Sequence, residues 1–310
     1  DAVGDRDALF VLSGEIQRLQ ASPFFDAEVF ADLKDPNTVV AHFSQGGLGL
    51  PEREYYLATD AEQKTLRAAY EQHVAKMLVL SGLPQPQAAK EAKAILVFET
   101  ALAKASRPIE AMRDVQKLHH RLDAPGLAKL TPKLPWERFF SAFGQSDLTA
   151  INVMTPEFFP ALQKEIGKAP LPTLKAYLRY QLLSATAGLL PDAIYQQHFD
   201  FQGRTLAGQK EPQPRWKRCI QATEQAMGEA IGQLYVRERF AGNSKELALD
   251  MIHGIADAFA ASLPALSWMD EETRKAALVK KGTLAWKIGF PEEWRDYSKL
   301  AIARGNHFAN

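Results

Sequence analysis

Residues 216–234 read Trp216-Lys217-Arg218-Cys219-Ile220-Gln221-Ala222-Thr223-Glu224-Gln225-Ala226-Met227-Gly228-Glu229-Ala230-Ile231-Gly232-Gln233-Leu234, and the spacing of their apolar side chains decides the fold class. Trp216, Ile220, Thr223, Met227, Ile231 and Leu234 recur at steps of three and four, which returns each to one face of a helix. The pattern predicts a continuous helix with one buried stripe. Leu66, Tyr70, His73, Met77 and Leu80 make a second stripe, and Thr59 with Glu62 has the spacing of a capping box at its start. Thr155-Pro156-Glu157 predicts another helix start, because proline in the first turn gives up no needed N–H. Further helical patterns cover Arg6 to Leu19, Gln87 to Lys104, Leu171 to Ala185, Lys245 to Ser262 and Glu271 to Lys280.

A period of two breaks this regime only between Ala27 and Ser44. Val29 and Ala31, then Val39, Ala41 and Phe43, alternate around Lys34-Asp35-Pro36-Asn37, which predicts a β-hairpin. Just beyond lies Gly46-Gly47-Leu48-Gly49-Leu50-Pro51-Glu52-Arg53-Glu54-Tyr55-Tyr56-Leu57. No Gly-Lys-Ser/Thr follows these glycines and Pro51 stands where a helix would start, so they do not read as a phosphate loop. Their expected role is to permit unusual dihedrals at a strand exit. The fold class is therefore mainly α, a multi-helix lobe with a small β-hairpin near its N-terminal end. Residues 1–58 hold a short helix, the hairpin and the glycine segment, and residues 59–310 hold the helical lobe.

With 310 residues, 46% of them hydrophobic, the chain is long enough for a substantial core. Lys+Arg and Asp+Glu are both 37, and this balance argues against a nucleic-acid partner or an anionic membrane surface. The run Arg215-Trp216-Lys217-Arg218 is short and isolated, and reads as a helix start docked by tryptophan with its cations in solvent. Apolar runs such as Met77-Leu78-Val79-Leu80 fall far short of the roughly 20 residues of a spanning helix, so no membrane insertion is expected. Asp1-Ala2-Val3-Gly4 is unlike a signal peptide, which is expected to be removed or to lie upstream. The lone Cys219 excludes an internal disulfide and reads as an inert, partly buried thiol.

Titratable groups give little support to chemistry within the chain. Zinc requires several imidazoles or carboxylates converging on one point, and the seven histidines are scattered. His119 and His120 are adjacent, so on a helix they diverge by roughly 100°, and with Arg121 they read as a solvated basic segment. His73 reads as a hydrogen-bonded core imidazole, and His253 as the partner of Asp257 one turn away. Glu99 shares a face with Ala92, Ile95 and Leu102, so a buried carboxylate is expected; Arg215 or Arg218 is the expected partner, with a general acid working beside a histidine as the weaker alternative. No G-x-S-x-G elbow is present.

The glycine segment closely resembles a signature of the neprilysin and endothelin-converting-enzyme-like zinc metallopeptidases, in the style of a bacterial oligoendopeptidase. The resemblance continues through Asp35-Pro36-Asn37, Phe98-Glu99-Thr100-Ala101-Leu102-Ala103, Val153-Met154-Thr155-Pro156-Glu157-Phe158, Leu174-Lys175-Ala176-Tyr177-Leu178 and Phe199-Asp200-Phe201-Gln202-Gly203. It is most specific in Pro214 to Cys219, Gly232-Gln233-Leu234-Tyr235, Trp268 to Thr273, and Lys287-Ile288-Gly289-Phe290-Pro291 with Trp294-Arg295-Asp296-Tyr297.

This likeness implies zinc-dependent cleavage of small peptides inside a chamber between a helical and a catalytic lobe. In the family an H-E-x-x-H helix supplies two zinc histidines and a general-base glutamate, and a later glutamate completes the ligands. No H-E-x-x-H occurs here. The chain resembles the central, helical, substrate-gating lobe; the ending Leu300 to Asn310 resembles the approach to the catalytic lobe. The expectation is an active zinc peptidase as the intact parent, with zinc and the missing catalytic lobe supplied from outside 1–310, and no turnover by these residues alone. Catalytic residues and metal ligands are none within 1–310, and the substrate-binding residues are left unassigned. Tyr55-Tyr56 either lines the peptide chamber or wedges into the core. The alternative is a non-catalytic peptide-binding or scaffold module derived from the lobe. A periplasmic or secreted location is implied.

Overall fold

The computed structural model describes residues 3–19 and 21–305. Two compact units emerge, Asp1–Pro212 and Gln213–Asn310. Among the described residues there are twelve α-helices and one sheet of four strands, a mainly α architecture.

In the first unit α1 (Arg6–Gln17) starts where the Asp5 carboxylate accepts the Ala8 N–H at 2.7 Å. The hairpin forms as its alternation predicts: β1 (Phe25–Ala31) runs antiparallel to β2 (Val39–Gln45), with Phe25 opposite Gln45 and Ala31 opposite Val39. Its turn is closed by the Asp32 N–H donating to Thr38 O (2.7 Å) and by Asp35 accepting from Thr38 Oγ1 (2.5 Å). The short helix α2 (Glu54–Leu57) ends the glycine segment.

Helices α3 (Ala61–Leu80) and α4 (Gln85–Ala105) follow. The cap of α3 is Asp60, which accepts the Gln63 N–H at 2.9 Å, and not Thr59. Asp60 is one residue closer to the first turn, and a carboxylate there also complements the positive end of the helix. Two strands escaped the sequence reading, β3 (Arg121–Leu122) and β4 (Ile151–Val153), because two or three residues are too few to show a period. They complete the order β1-β2-β4-β3, with β4 parallel to β2.

Between β3 and β4 lie α5 (Ala124–Leu130) and α6 (Trp136–Phe143), followed after β4 by α7 (Phe158–Lys168), α8 (Leu171–Thr186) and α9 (Asp192–His198). Helix α7 opens at Phe158, later than the Thr155-Pro156-Glu157 pattern suggests; the Thr155 hydroxyl is instead committed to the Gln45 N–H at 2.8 Å. A π-helix, Phe199–Leu206, continues directly from α9. The core is aromatic, with Phe10, Phe25, Phe43, Trp136, Phe139 and Phe159 in mutual ring contact.

The second unit contains α10 (Arg215–Arg239), α11 (Ser244–Ser262) and α12 (Glu271–Gly282). The predicted helix over 216–234 is present, but it is broken at Met227 (φ −140°, ψ 45°), next to Gly228, and its stripe is not buried. Trp216 is 61% exposed and Leu234 54% exposed. Periodicity reports which side chains share a face, whereas burial also requires an apposed surface. Trp216 therefore does not dock the helix start; the Lys217 ammonium lies over its ring at 5.5 Å. Cys219 is exposed rather than partly buried. Among the described residues no helix is long and apolar enough to cross a membrane.

Candidate functional site

Strand β2 ends at Gln45, and its side chain fixes the direction in which the glycine segment leaves the sheet. Gln45 Nε2 donates to Arg107 O (2.9 Å) and Gln45 Oε1 accepts the Arg107 N–H (2.7 Å), a reciprocal pair that joins the strand exit to the end of α4. Gly47 takes a positive φ of 77°, open to glycine without strain; a Cβ there would also meet Pro23 O at 2.7 Å and the Tyr177 hydroxyl at 2.8 Å. The sequence expectation of unusual dihedrals at the strand exit therefore holds at this residue. Gly49 is required for a different reason: a Cβ would lie 1.9 Å from the Tyr70 hydroxyl.

Three tyrosines carry this segment from below. Tyr177 donates to Gly47 O at 2.6 Å and also bonds Pro23 O. The Tyr56 hydroxyl accepts the N–H groups of Gly49 (3.0 Å) and Leu50 (2.8 Å) and donates to Glu99 Oε2 (2.9 Å). Tyr70 hydrogen-bonds the same carboxyl, 2.8 Å from Oε2 and 3.0 Å from Oε1. Glu99 is fully buried on α4, as its helical face predicts, but its partners are Tyr56 and Tyr70 rather than Arg215 or Arg218. A phenol cage needs no counter-charge if the acid stays neutral. Burial pushes the Glu99 pKa up to about 8, against the smaller opposing pull of Tyr70, Tyr56 and the Gly49 N–H. No histidine is among its hydrogen-bond partners, which removes the support for a Glu99–histidine acid–base pair. Tyr56 is a core residue, whereas Tyr55 is only partly buried.

Above this cradle a cleft of about 520 Å³ opens, with Gly46, Gly47, Leu48, Leu50 and Pro51 forming one wall. Glu52, Arg53, Arg107, Asp26, Gln45, Gln181 and Ser184 supply its polar groups. Arg107 bonds Glu157 through Nε and through Nη2 (2.9 Å), and donates from Nη1 to Lys117 O (3.0 Å). Burial works to raise the Glu157 pKa, but the bonds and charge of Arg107 outweigh it and leave it lowered. Asp26 is solvent-accessible at the rim, yet desolvation by the surrounding wall, helped by the Glu28 charge, pushes its pKa up to about 6. The cleft thus brings guanidinium, carboxyl and carboxamide groups into one concavity, a combination suited to a polar ligand.

The histidines that the sequence singled out are dispersed. His119 is not solvated: its Nε2 lies 3.2 Å from Asp32 Oδ1, and Arg121 Nη1 is 2.6 Å from Oδ2. The His120 N–H donates to Asn152 Oδ1, and His42 Nδ1 lies 3.1 Å from Asn152 Nδ2. His73 is buried, as its stripe predicts, with Nδ1 3.1 Å from Gln197 Nε2; burial first, then the proximity of His198, lowers its pKa to about 3. Asp257 takes Lys281 Nζ as its hydrogen-bonded partner at 2.7 Å, with His253 contributing only a lesser favourable charge, and the His253 ring stands edge-on to Trp286. Among the described residues no three His, Cys, Asp or Glu side chains form a group able to hold a metal ion. Zinc does not fit this donor set, and no chemical step passes through it here. Residues 306–310, with His307, lie outside the described residues.

The family model for Peptidase family M13 matches residues 2–291. The chain belongs to Peptidase family M13. Over 285 residues it is 33% identical to human endothelin-converting enzyme 1, covering 91% of this chain and 37% of that protein. The endothelin-converting enzyme homolog of Locusta migratoria is 32% identical over 311 residues, covering 94% of this chain and 42% of the relative. Among solved structures, the Mycobacterium tuberculosis zinc metalloprotease Zmp1 in complex with an inhibitor superposes with a TM-score of 0.89 at 31% identity, across 100% of this chain and 47% of that one. PepO from Lactobacillus rhamnosis shares the fold, with a TM-score of 0.82 at 22% identity over 94% of this chain and 46% of that one. The M13 chain described here spans less than half the length of each of these relatives.

Proposed function

We propose that these residues are the helical, substrate-gating lobe of a zinc metalloendopeptidase that cleaves small peptides, with the zinc ligands and general base carried by parts of the relatives that this chain does not span. The reading rests on one observation above the others: similarity covers nearly the whole chain but only 37% of human endothelin-converting enzyme 1 and 47% of Zmp1. In such an enzyme the bound metal polarises the scissile carbonyl and activates water. The contribution of this chain is binding and exclusion. The glycine segment shapes one wall of the cleft, Arg53 meets carboxylates or carbonyls of a peptide, and Asp26 meets its amines.

A periplasmic or secreted location accords with the family resemblance and with a single cysteine, as in bacterial rather than disulfide-rich animal ectodomains. The test is a hydrolysis assay with a mixture of short fluorogenic peptides and added zinc. Residues 1–310 alone are expected to give no turnover while binding short peptides in a manner weakened by Arg53→Ala. Zinc-dependent turnover by this chain would overturn the assignment of catalysis to other residues, and peptide binding indifferent to Arg53→Ala would overturn the role of the cleft.

A further inference from the structure

Helix α4 carries Lys90, Lys93 and Lys104 along one outward stripe, and Val97 and Ala101 interrupt that stripe with apolar side chains. Val97 is 65% exposed, so the core of its own unit makes no use of it. Across from it stands the corner between α7 and α8, where Ala169 and Pro170 turn the chain. The two sides enclose a groove of about 430 Å³, with Phe98 also in its lining. This groove shares no lining residue with the glycine-walled cleft.

Most polar groups around the groove are already spent. Thr173 Oγ1 donates to Glu91 Oε2 at 2.6 Å, and both residues are buried. Arg6 donates from Nε to Ile166 O (3.0 Å) and from Nη2 to Ala169 O (2.7 Å), which covers carbonyls at the end of α7. Glu165, the acid of the lining, accepts from Lys168 Nζ at 2.9 Å. Lys90 and Lys93 differ. Both line the groove, and among the described residues neither has an ion-pair partner.

These facts select the chemistry of the occupant. A peptide would turn main-chain N–H and C=O groups towards a wall with nothing free to pair them, a cost that an aliphatic chain does not incur. The two unpaired ammonium groups favour a carboxylate at one end. From Lys93 to Ala101 the helix advances about 12 Å at ~1.5 Å per residue, so basic and apolar lining succeed one another over the length of a medium aliphatic chain. We propose that the groove is a binding site for a medium-chain aliphatic monocarboxylate, its chain along Val97, Phe98 and Ala101 and its carboxylate at Lys90 and Lys93. The site is separate from the cleft and stands whether or not the cleft takes peptides.

The test titrates sodium decanoate, 1-decanol and decyltrimethylammonium, each below its aggregation limit, into the full chain while the methyl resonances of Ala94, Val97 and Ala101 are followed by NMR. Decanoate is expected to shift them saturably, with 1-decanol binding roughly fivefold more weakly and the cation more weakly still. Added salt should weaken decanoate alone. Exchanging both Lys90→Glu and Lys93→Glu should lower decanoate affinity by about tenfold and leave 1-decanol unchanged. Both lysines are exposed, so the core is untouched, and the ligand series on the unmodified chain stands without the variant.

The absence of a saturable shift would overturn the proposal outright. Equal affinity for decanoate and 1-decanol would remove the lysines from it. Shifts of the same size at the exposed methyls of Ile255 and Val279 would mean general adsorption to apolar surface and no site. Tighter binding by a short acidic and apolar peptide, read at the same groove methyls, would overturn the aliphatic ligand.

Discussion

Glu99 and Asp32 show how two buried carboxyls in one unit come to opposite protonation states. Glu99 meets only phenols and a carboxamide and is driven up; Asp32 meets the Arg121 guanidinium, the N–H groups of Lys34 and Asp35, and His119, and is held well below the usual carboxylate range, Arg121 contributing most. The pH responses therefore run in opposite directions. Asp32, ordinarily near 3.8, stabilises fully above that value and loses its contribution as pH falls below it. An Asp32→Asn chain should consequently show a shallower loss of thermal midpoint between pH 5 and 2 than the unmodified chain; parallel acid limbs would deny Asp32 that role. For Glu99→Ala, two tyrosine hydroxyls lose a partner and a cavity opens, so the unfolding free energy should drop by about 3 kcal/mol. Chemical denaturation would measure the drop, and an unchanged midpoint would contradict the structural role. The sequence exposed the burial of Glu99 through its helical face, but its partners come from residues 29 and 43 positions away, and no local pattern encodes that pairing.

At the level of elements, the glycine segment illustrates what a sequence states and what it leaves to tertiary contact. That glycine permits an unusual strand exit was legible, and Gly47 takes it up. That Gly49 exists to let the Tyr70 hydroxyl approach the backbone was not, because the approach depends on where α3 packs. Gly49→Ala should therefore be more damaging than its small volume suggests: the added methyl must displace Tyr70 and with it the Glu99 bond, for a loss of about 2 to 4 kcal/mol. Gly82→Ala provides a contrast, since a Cβ there meets nothing within 4 Å and only its positive φ of 97° is strained. Comparing the two midpoints checks whether close packing or backbone strain dominates, and equal losses would favour strain. Most helices were legible from period and caps, including α1, α4, α8, α11 and α12 to within a few residues. The short strands β3 and β4 were not, and neither was the break at Met227, where apolar spacing runs uninterrupted through a residue with non-helical dihedrals.

Across the whole molecule, the two units differ sharply in how their apolar side chains are used. The first buries a large aromatic and aliphatic cluster drawn from α1 to α8 and the strands. In the second, Leu263 alone is buried among the described residues, while Met251, Ile255, Val279 and Trp268 are each more than 60% exposed. Helical periodicity in 213–310 is as regular as in the first unit and predicts buried stripes in both; the difference lies in what each stripe has to pack against. Folding free energy scales with apolar surface removed from water, about 25 cal/mol per Å², and a helix that removes little cannot offset its ordering entropy. Residues 1–212 expressed alone should therefore unfold cooperatively with a midpoint close to that of the main transition of the full chain. Residues 213–310 alone should show weak helicity, no cooperative transition and strong binding of a hydrophobic dye. Calorimetry and circular dichroism on the two pieces decide the matter: a sharp, independent transition for 213–310 would mean that its helices bury enough surface among themselves to fold without the first unit.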